Sequence, residues 1–415
     1  MSKLVRLLVL VAALAAGPVG CEGVLRTPVP KADTATALPL GTPGLREWGD
    51  KWTERDVEAF VAQYAPSMRS VYADAIAAGE PPQLNFLALS GGGQYGAFGA
   101  GILDAWTKSG QRPHFHGVSG ISTGSIIAPF AFLGPEYDHV LREIYSKYDT
   151  DMLIDTTVLS GLLSGTALSS TARLARVIDQ YVNEELLAKI AVEHRKGRML
   201  FIGTTNLDAG RPMIWNIGAI ANSGKPGALN LVRQLIRASA AIPVAFPPVF
   251  IEVETPDGRK YDEMHVDGGA SSQVTFLSPD FPLGEVTRRI LGRNLDRHIW
   301  IIVNNDLEPP YAPVKPRINA IGEAAVSSLI RGSGIGDTYR LFAITQRDDV
   351  KFSLTWIPAV IPCPDPTEVF DRPFMKCLFD FGGDYLRSGT AWRDRPPFFA
   401  MPPASPPPPA RRAQR

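Results

Sequence analysis

Ser90 to Gly101, SGGGQYGAFGAG, places six glycines in twelve residues directly after the apolar run LNFLAL (Leu84 to Leu89). Glycine weakens a helix by roughly 0.5–1 kcal/mol per site relative to alanine, so such a cluster points to a special backbone path or to close approach of another group. Consecutive glycine N–H groups between a strand and a helix form a concave nest suited to an anion. Two anions fit that description: a bound phosphate, or a charge that exists only during a reaction.

The run and the glycines open a repeating order. Leu84–Leu89 reads as a strand and Gly96–Ser109 as a helix closed by Gly110, followed by a strand at Phe115–Val118 and a helix at Gly124–Leu133. Met199–Thr205 and His298–Val303 are further buried-strand candidates, with helices at Thr171–Val182 and Leu229–Ala241. The turn TPDGRK between Phe250 and Val266 suggests a hairpin. This alternation predicts an α/β fold with a mostly parallel central sheet flanked by helices. One such domain is expected over residues 53–392. At its start Thr53 caps a helical pattern that Pro66 is expected to divide in two.

The flanks read differently. Lys3 and Arg6 precede the ten-residue apolar stretch LLVLVAALAA (Leu7 to Ala16), which is broken by Gly17 and Pro18. A span needs about 20 apolar residues, so residues 1–21 read as an export signal rather than an anchor helix. Cys21, in PVGC, resembles the lipidated cysteine of bacterial lipoproteins, although Pro18 stands where an aliphatic residue is usual. A simple secretory peptide is the alternative. By the same resemblance Glu22 favours the outer membrane. Residues 22–52, rich in Pro, Thr and Ala at first, are expected as a flexible tether, and 393–415 as a Pro-rich tail.

Composition narrows the function classes. In 415 residues, 45% apolar, 42 Lys plus Arg balance 42 Asp plus Glu, so no overall field draws in nucleic acid. Cys363 and Cys377, the other two cysteines, lie fourteen apart and are expected to pair in an oxidising compartment, two buried thiols being the alternative. His114 and His116 would share one face of a strand, but no third metal ligand follows from spacing.

Gly91, Gly93 and Gly96 satisfy G-x-G-x-x-G, which in a dinucleotide site is followed about 20 residues on by an acid that holds the ribose. No carboxylate lies between Gly110 and Gly134. That position holds Gly120-Ile121-Ser122-Thr123-Gly124, a G-x-S-x-G between a strand and a helix, the pattern of a nucleophile elbow. Ser122 is then the candidate nucleophile. Gly91, Gly92 and Gly93 are the candidate donors to a transient oxyanion, unless they merely let helix and strand pack closely. None of the six histidines lies in a marked setting for a base. Asp267, in MHVDGGASSQV, ends a strand before two glycines, either as the base or as an ordinary Asp-Gly turn.

SGGGQYG, GISTG and VDGG, in that order, together with IRASAAIPVAFPPV, resemble the patatin-like phospholipases over roughly Leu84 to Gly269. The resemblance implies a three-layer sandwich and a Ser122–Asp267 dyad without histidine. It also implies Gly91 to Gly93 as the oxyanion hole, and no metal or organic cofactor. The family often carries Arg or Lys in the glycine block, whereas this chain has Gln94 and Tyr95. The expected function is that of a lipid acyl hydrolase acting on a phospholipid or lysophospholipid, membrane-bound through its N-terminus. A non-lipid carboxylesterase and a non-catalytic lipid-binding lipoprotein are the alternatives. Pocket-shaping residues are expected between Tyr137 and Ser170 and after Asn305.

Overall fold

The computed structural model describes residues 25–399, apart from 74–76, 78–82, 155–170, 244, 277, 294 and 309–310. The expected signal segment with Cys21 and most of the Pro-rich tail lie outside the described residues. The sheet is built on β2 (Gln83–Leu89), whose side chains after the first are all buried. Leu87 and Leu89 enter one apolar core, while Leu84, Phe86 and Ala88 enter another on the opposite face. A strand with no solvent face needs helices on both sides, which gives the chain three layers.

Parallel pairing joins β2 to β3 (Gly117–Ile121) and to β8 (Asp296–Asp306), β3 to β4 (Met199–Asn206), and β8 to β9 (Lys351–Ile357). The antiparallel β5 (Arg211–Asn216) and β1 (Arg46–Trp48) complete one edge, in the order β1-β5-β4-β3-β2-β8-β9. The hairpin of β6 (Val249–Glu254) and β7 (Lys260–Asp267) joins through β7 to β4.

The helix Gly96–Lys108 packs against Arg372–Arg387 closely enough that a Cβ on Gly101 would fall 2.0 Å from the Phe379 carbonyl oxygen. Some of the opening glycines therefore serve helix packing rather than chemistry.

Two expectations give way here. Glu54–Val71 is one helix with Pro66 inside it, because Phe60, Tyr64, Ala65 and Met68 bury a continuous face across the proline. Residues 25–52 do not form a free tether. Arg26 ion-pairs with Asp208 and Asp262, Leu38 bridges to Glu254, and β1 pairs with β5, so polar and backbone partners hold the segment to the domain.

The structure joins Cys363 to Cys377 as a disulfide with a Cα separation of 5.7 Å. His114 and His116 precede β3 rather than lying in it, and their rings meet edge to face at 5.4 Å. His116 Nδ1 accepts the Asn85 amide, and no metal-binding cluster occurs among the described residues.

Candidate active site

β3 pairs with β4 only as far as Ile121 opposite Gly203. β7 takes over on β4 at the next position, with Asp267 opposite Thr204, while β5 lines β4 along Phe201–Asn206. Two strands running in opposite directions thus meet end to end beside one strand. The residue after β3, Ser122, and the last residue of β7, Asp267, come together at that junction.

Ser122 sits at φ 54°, ψ −124°, a sparsely populated conformation for a residue with a side chain. Surrounding contacts hold it there. Its N–H donates to Ser239 Oγ at 2.9 Å, Ser239 donates to the Gly203 carbonyl at 2.6 Å, and the Ser122 carbonyl accepts both the amide and the hydroxyl of Ser125. A Cβ on Gly120 would lie 2.1 Å from the Gly124 carbonyl oxygen, which explains why the tight turn needs glycine there. The helix Thr123–Leu133 starts at the next residue, so the Thr123 N–H is a first-turn donor without an intrahelical acceptor.

Asp267 is buried, and loss of water pushes its pKa up to about 6. The Ser122 hydroxyl and the Gly269 N–H, the latter 2.7 Å from Oδ1, act against that rise. A carboxylate poised there accepts a proton far more readily than an exposed one.

The His265 ring is held by Thr204 Oγ1 at 2.9 Å and by Glu263, and His298 bonds Ser353 Oγ and stacks on Trp300.

The glycine block lies beside the serine, so that a Cβ on Gly91 would come within 3.1 Å of Ser122 Cβ. One expected donor is corrected. The Gly91 N–H is taken by the Gln273 carbonyl at 3.1 Å and does not serve as an oxyanion donor. Gly92, at φ 149° and with Asn304 O only 2.1 Å from where a Cβ would be, and Gly93 stand at the start of a short 3-10 turn whose leading amides have no acceptor within it. Motif reading passed over Thr123, whose place after the nucleophile is the available signal.

Gln273 was also missed. Its side chain donates to the Gly269 carbonyl at 2.8 Å, and its own N–H donates to Asp337, which also accepts from Ser272 Oγ and the Val274 N–H.

Ser122 and Gly93 open onto a cavity of about 830 Å³, its mouth included. None of the described residues lining it is charged; Ile126, Phe130, Leu174, Ile178, Ile236 and Phe246 are typical. Ile144, Tyr145, Tyr148 and Leu153 come from the stretch expected to shape the pocket, and Phe370 and Met375 from the segment after Asn305. The walls at 174–182 and 236–246 were not expected.

Residues 87–280 match the model of the patatin-like phospholipase family. This patatin-like region contains Ser122, Asp267 and the glycine block. An uncharacterized protein of Acanthamoeba polyphaga mimivirus is 27% identical over 203 residues, 48% of this chain, and the match covers 63% of that relative's length. Among solved structures, the chain is similar to VipD from Legionella pneumophila, with 13% identity and a TM-score of 0.34, over 74% of this chain and 67% of that one. It is also similar to the ExoU–SpcU complex from Pseudomonas aeruginosa, with 16% identity and a TM-score of 0.29, over 75% and 54%.

Proposed function

We propose that this patatin-like chain is a lipid acyl hydrolase in which Ser122 is the nucleophile and Asp267 its base. The observation that carries the reading is the uncharged apolar cavity opening on Ser122. Such a cavity favours an alkyl chain, since each buried CH₂ contributes about 0.8 kcal/mol, over the acyl group of a small polar ester.

Ser122 Oγ attacks the ester carbonyl while Asp267 accepts the hydroxyl proton. The oxyanion forms within reach of the Gly92, Gly93 and Thr123 amides. The carbon–oxygen bond to the alcohol then breaks, and the departing oxygen takes the proton from Asp267. Water, deprotonated by the same carboxylate, attacks the acyl-serine, and Asp267 returns the proton to the departing Ser122 Oγ as the fatty acid is released.

A fluorophosphonate probe on purified protein tests the nucleophile, with labelling expected at Ser122 and lost in Ser122→Ala. A series of esters from two to eighteen carbons tests the cavity. Faster turnover of the shortest acyl group than of any long one would point to a non-lipid esterase instead.

The N-terminal motif supports export and lipidation at Cys21, with an outer-membrane destination. In the producing cell Cys21→Ser should leave the protein unprocessed or soluble, and equal membrane partitioning of the two forms would count against the anchor.

A further inference from the structure

Large apolar side chains are exposed at sixteen described positions, and seven of these fall between Tyr311 and Ile330. Five sit in the first half of the long helix Ile318–Asp348, among them Ile318 at 92%, Leu329 at 73%, Val326 at 56% and Ile321 at 54% exposure. With about 100° between successive residues, these and Ile330 fall within half the helix circumference, with Ser327 and Arg331 on the other side. Soluble surfaces scatter such residues singly, so a continuous face of them marks an interaction site.

The chemistry around the face selects the partner. Exposed Lys315 and Arg317 stand at its start, and Glu323 is the sole acidic residue from Tyr311 to Gly334. An apolar helix face with basic residues beside it suits the interface of an anionic bilayer.

Location agrees with that partner. Arg331 ion-pairs with Asp306, the last residue of β8, and the neighbouring Asn305 side chain donates to the carbonyl of Gly91, which lies against Ser122. The face thus leaves the body at the end of the sheet where the nucleophile lies. We infer that the exposed face of residues 318–330, with Tyr311, Val314, Lys315 and Arg317, inserts into an anionic lipid surface and seats the catalytic end on it. This rests on the reading of the substrate as a lipid.

The test uses the full chain carrying Ser122→Ala, which removes turnover, and Cys21→Ser, which removes the anchor cysteine. A polarity-sensitive fluorophore is placed at Leu329→Cys or, as a control, at Ser327→Cys. With vesicles containing phosphatidylglycerol, the probe at 329 should shift to the blue and be quenched by lipid-borne quenchers, while the probe at 327 stays in water. Pure phosphatidylcholine should bind at least tenfold more weakly, since each basic residue near an anionic surface contributes roughly fivefold.

With Ser122 intact, Val326→Glu plus Leu329→Glu should cut hydrolysis of vesicle lipid at least tenfold and leave a soluble short-chain ester unaffected. The fluorescence arm needs no turnover, so it reads out even if the hydrolase reading fails. A probe at 329 that stays aqueous with every vesicle overturns the inference. So does a blue shift without lipid that grows with protein concentration, which would mean a second copy. A shift abolished by deleting residues 400–415 would mean that the chain's own tail covers the face, and it overturns the inference equally.

Discussion

The Gly91 amide donates to the Gln273 carbonyl at 3.1 Å, which ties the glycine block to the turn that follows Asp267. Because Gln273 also reaches back to the Gly269 carbonyl, one residue fixes both the glycine block beside Ser122 and the turn after Asp267. Gln273→Ala removes only the side-chain half of this tie. It should lower kcat by roughly tenfold with KM nearly unchanged, since misplacing a reacting group costs rate rather than binding. Steady-state kinetics on a soluble ester separates the two parameters.

Asp337 holds the same turn from behind. Asp337→Asn keeps one oxygen for Ser272 and the Gln273 and Val274 amides but turns its NH₂ toward Arg340, whose ion pair with the other oxygen is lost. A loss of about 1–3 kcal/mol of stability is expected by urea denaturation.

Ser122→Ala and Asp267→Asn should each reduce lipid-ester turnover by about a thousandfold or more, and the double variant should be scarcely worse than either, because both groups act in one step. His265→Ala and His298→Ala, checked for folding by circular dichroism, should retain most activity. A dead histidine variant beside an active Asp267→Asn would reverse the assignment of the base.

The pKa of Asp267 gives a pH profile and a stability change of opposite sense. As a base it must be ionised, so kcat/KM should fall as pH drops through about 6. Its folded pKa is raised above the unfolded value near 3.9, so the folded state binds more protons between the two values. Stability therefore declines as pH rises from about 4 to about 6, and the cost persists above that range. Asp267→Asn should unfold at a higher temperature than the wild type at pH 8, by scanning calorimetry, while losing activity.

Closing the cavity from a wall remote in sequence separates acyl binding from chemistry. Ile236→Trp should depress hydrolysis of long-chain esters at least tenfold and spare acetyl esters. Equal losses on both would show that the chain does not lie there.

The proposed nucleophile and base stand out in the sequence because each announces itself locally: glycines around Ser122 for a strained turn, and a strand halted at Asp267 before two more. The sheet followed from apolar runs such as Leu84–Leu89, where burial on both faces leaves no alternation. Gly91 misled because a motif shows where an amide is and not which acceptor takes it, and that acceptor, Gln273, is distant in sequence. The walls at 174–182 and 236–246 escaped notice because a cavity lining has the same composition as a core. Residues 25–52 were misread since isolated ion pairs such as Arg26–Asp262 leave no periodic trace.

With a lipid on Cys21, the docking of that N-terminal segment would limit how far the protein strays from a bilayer. Three residues lie between Cys21 and Leu25, the first described residue, and the four steps from one to the other, at about 3.5 Å each, reach roughly 14 Å when fully extended. Arg26 is already pinned to Asp208, just beyond the end of β4 and on the same side of the sheet as Ser122. A lipid on Cys21 would act as a short mooring rather than a long leash. It would hold the catalytic end within a few water layers of the membrane and restrict substrate to molecules in that leaflet.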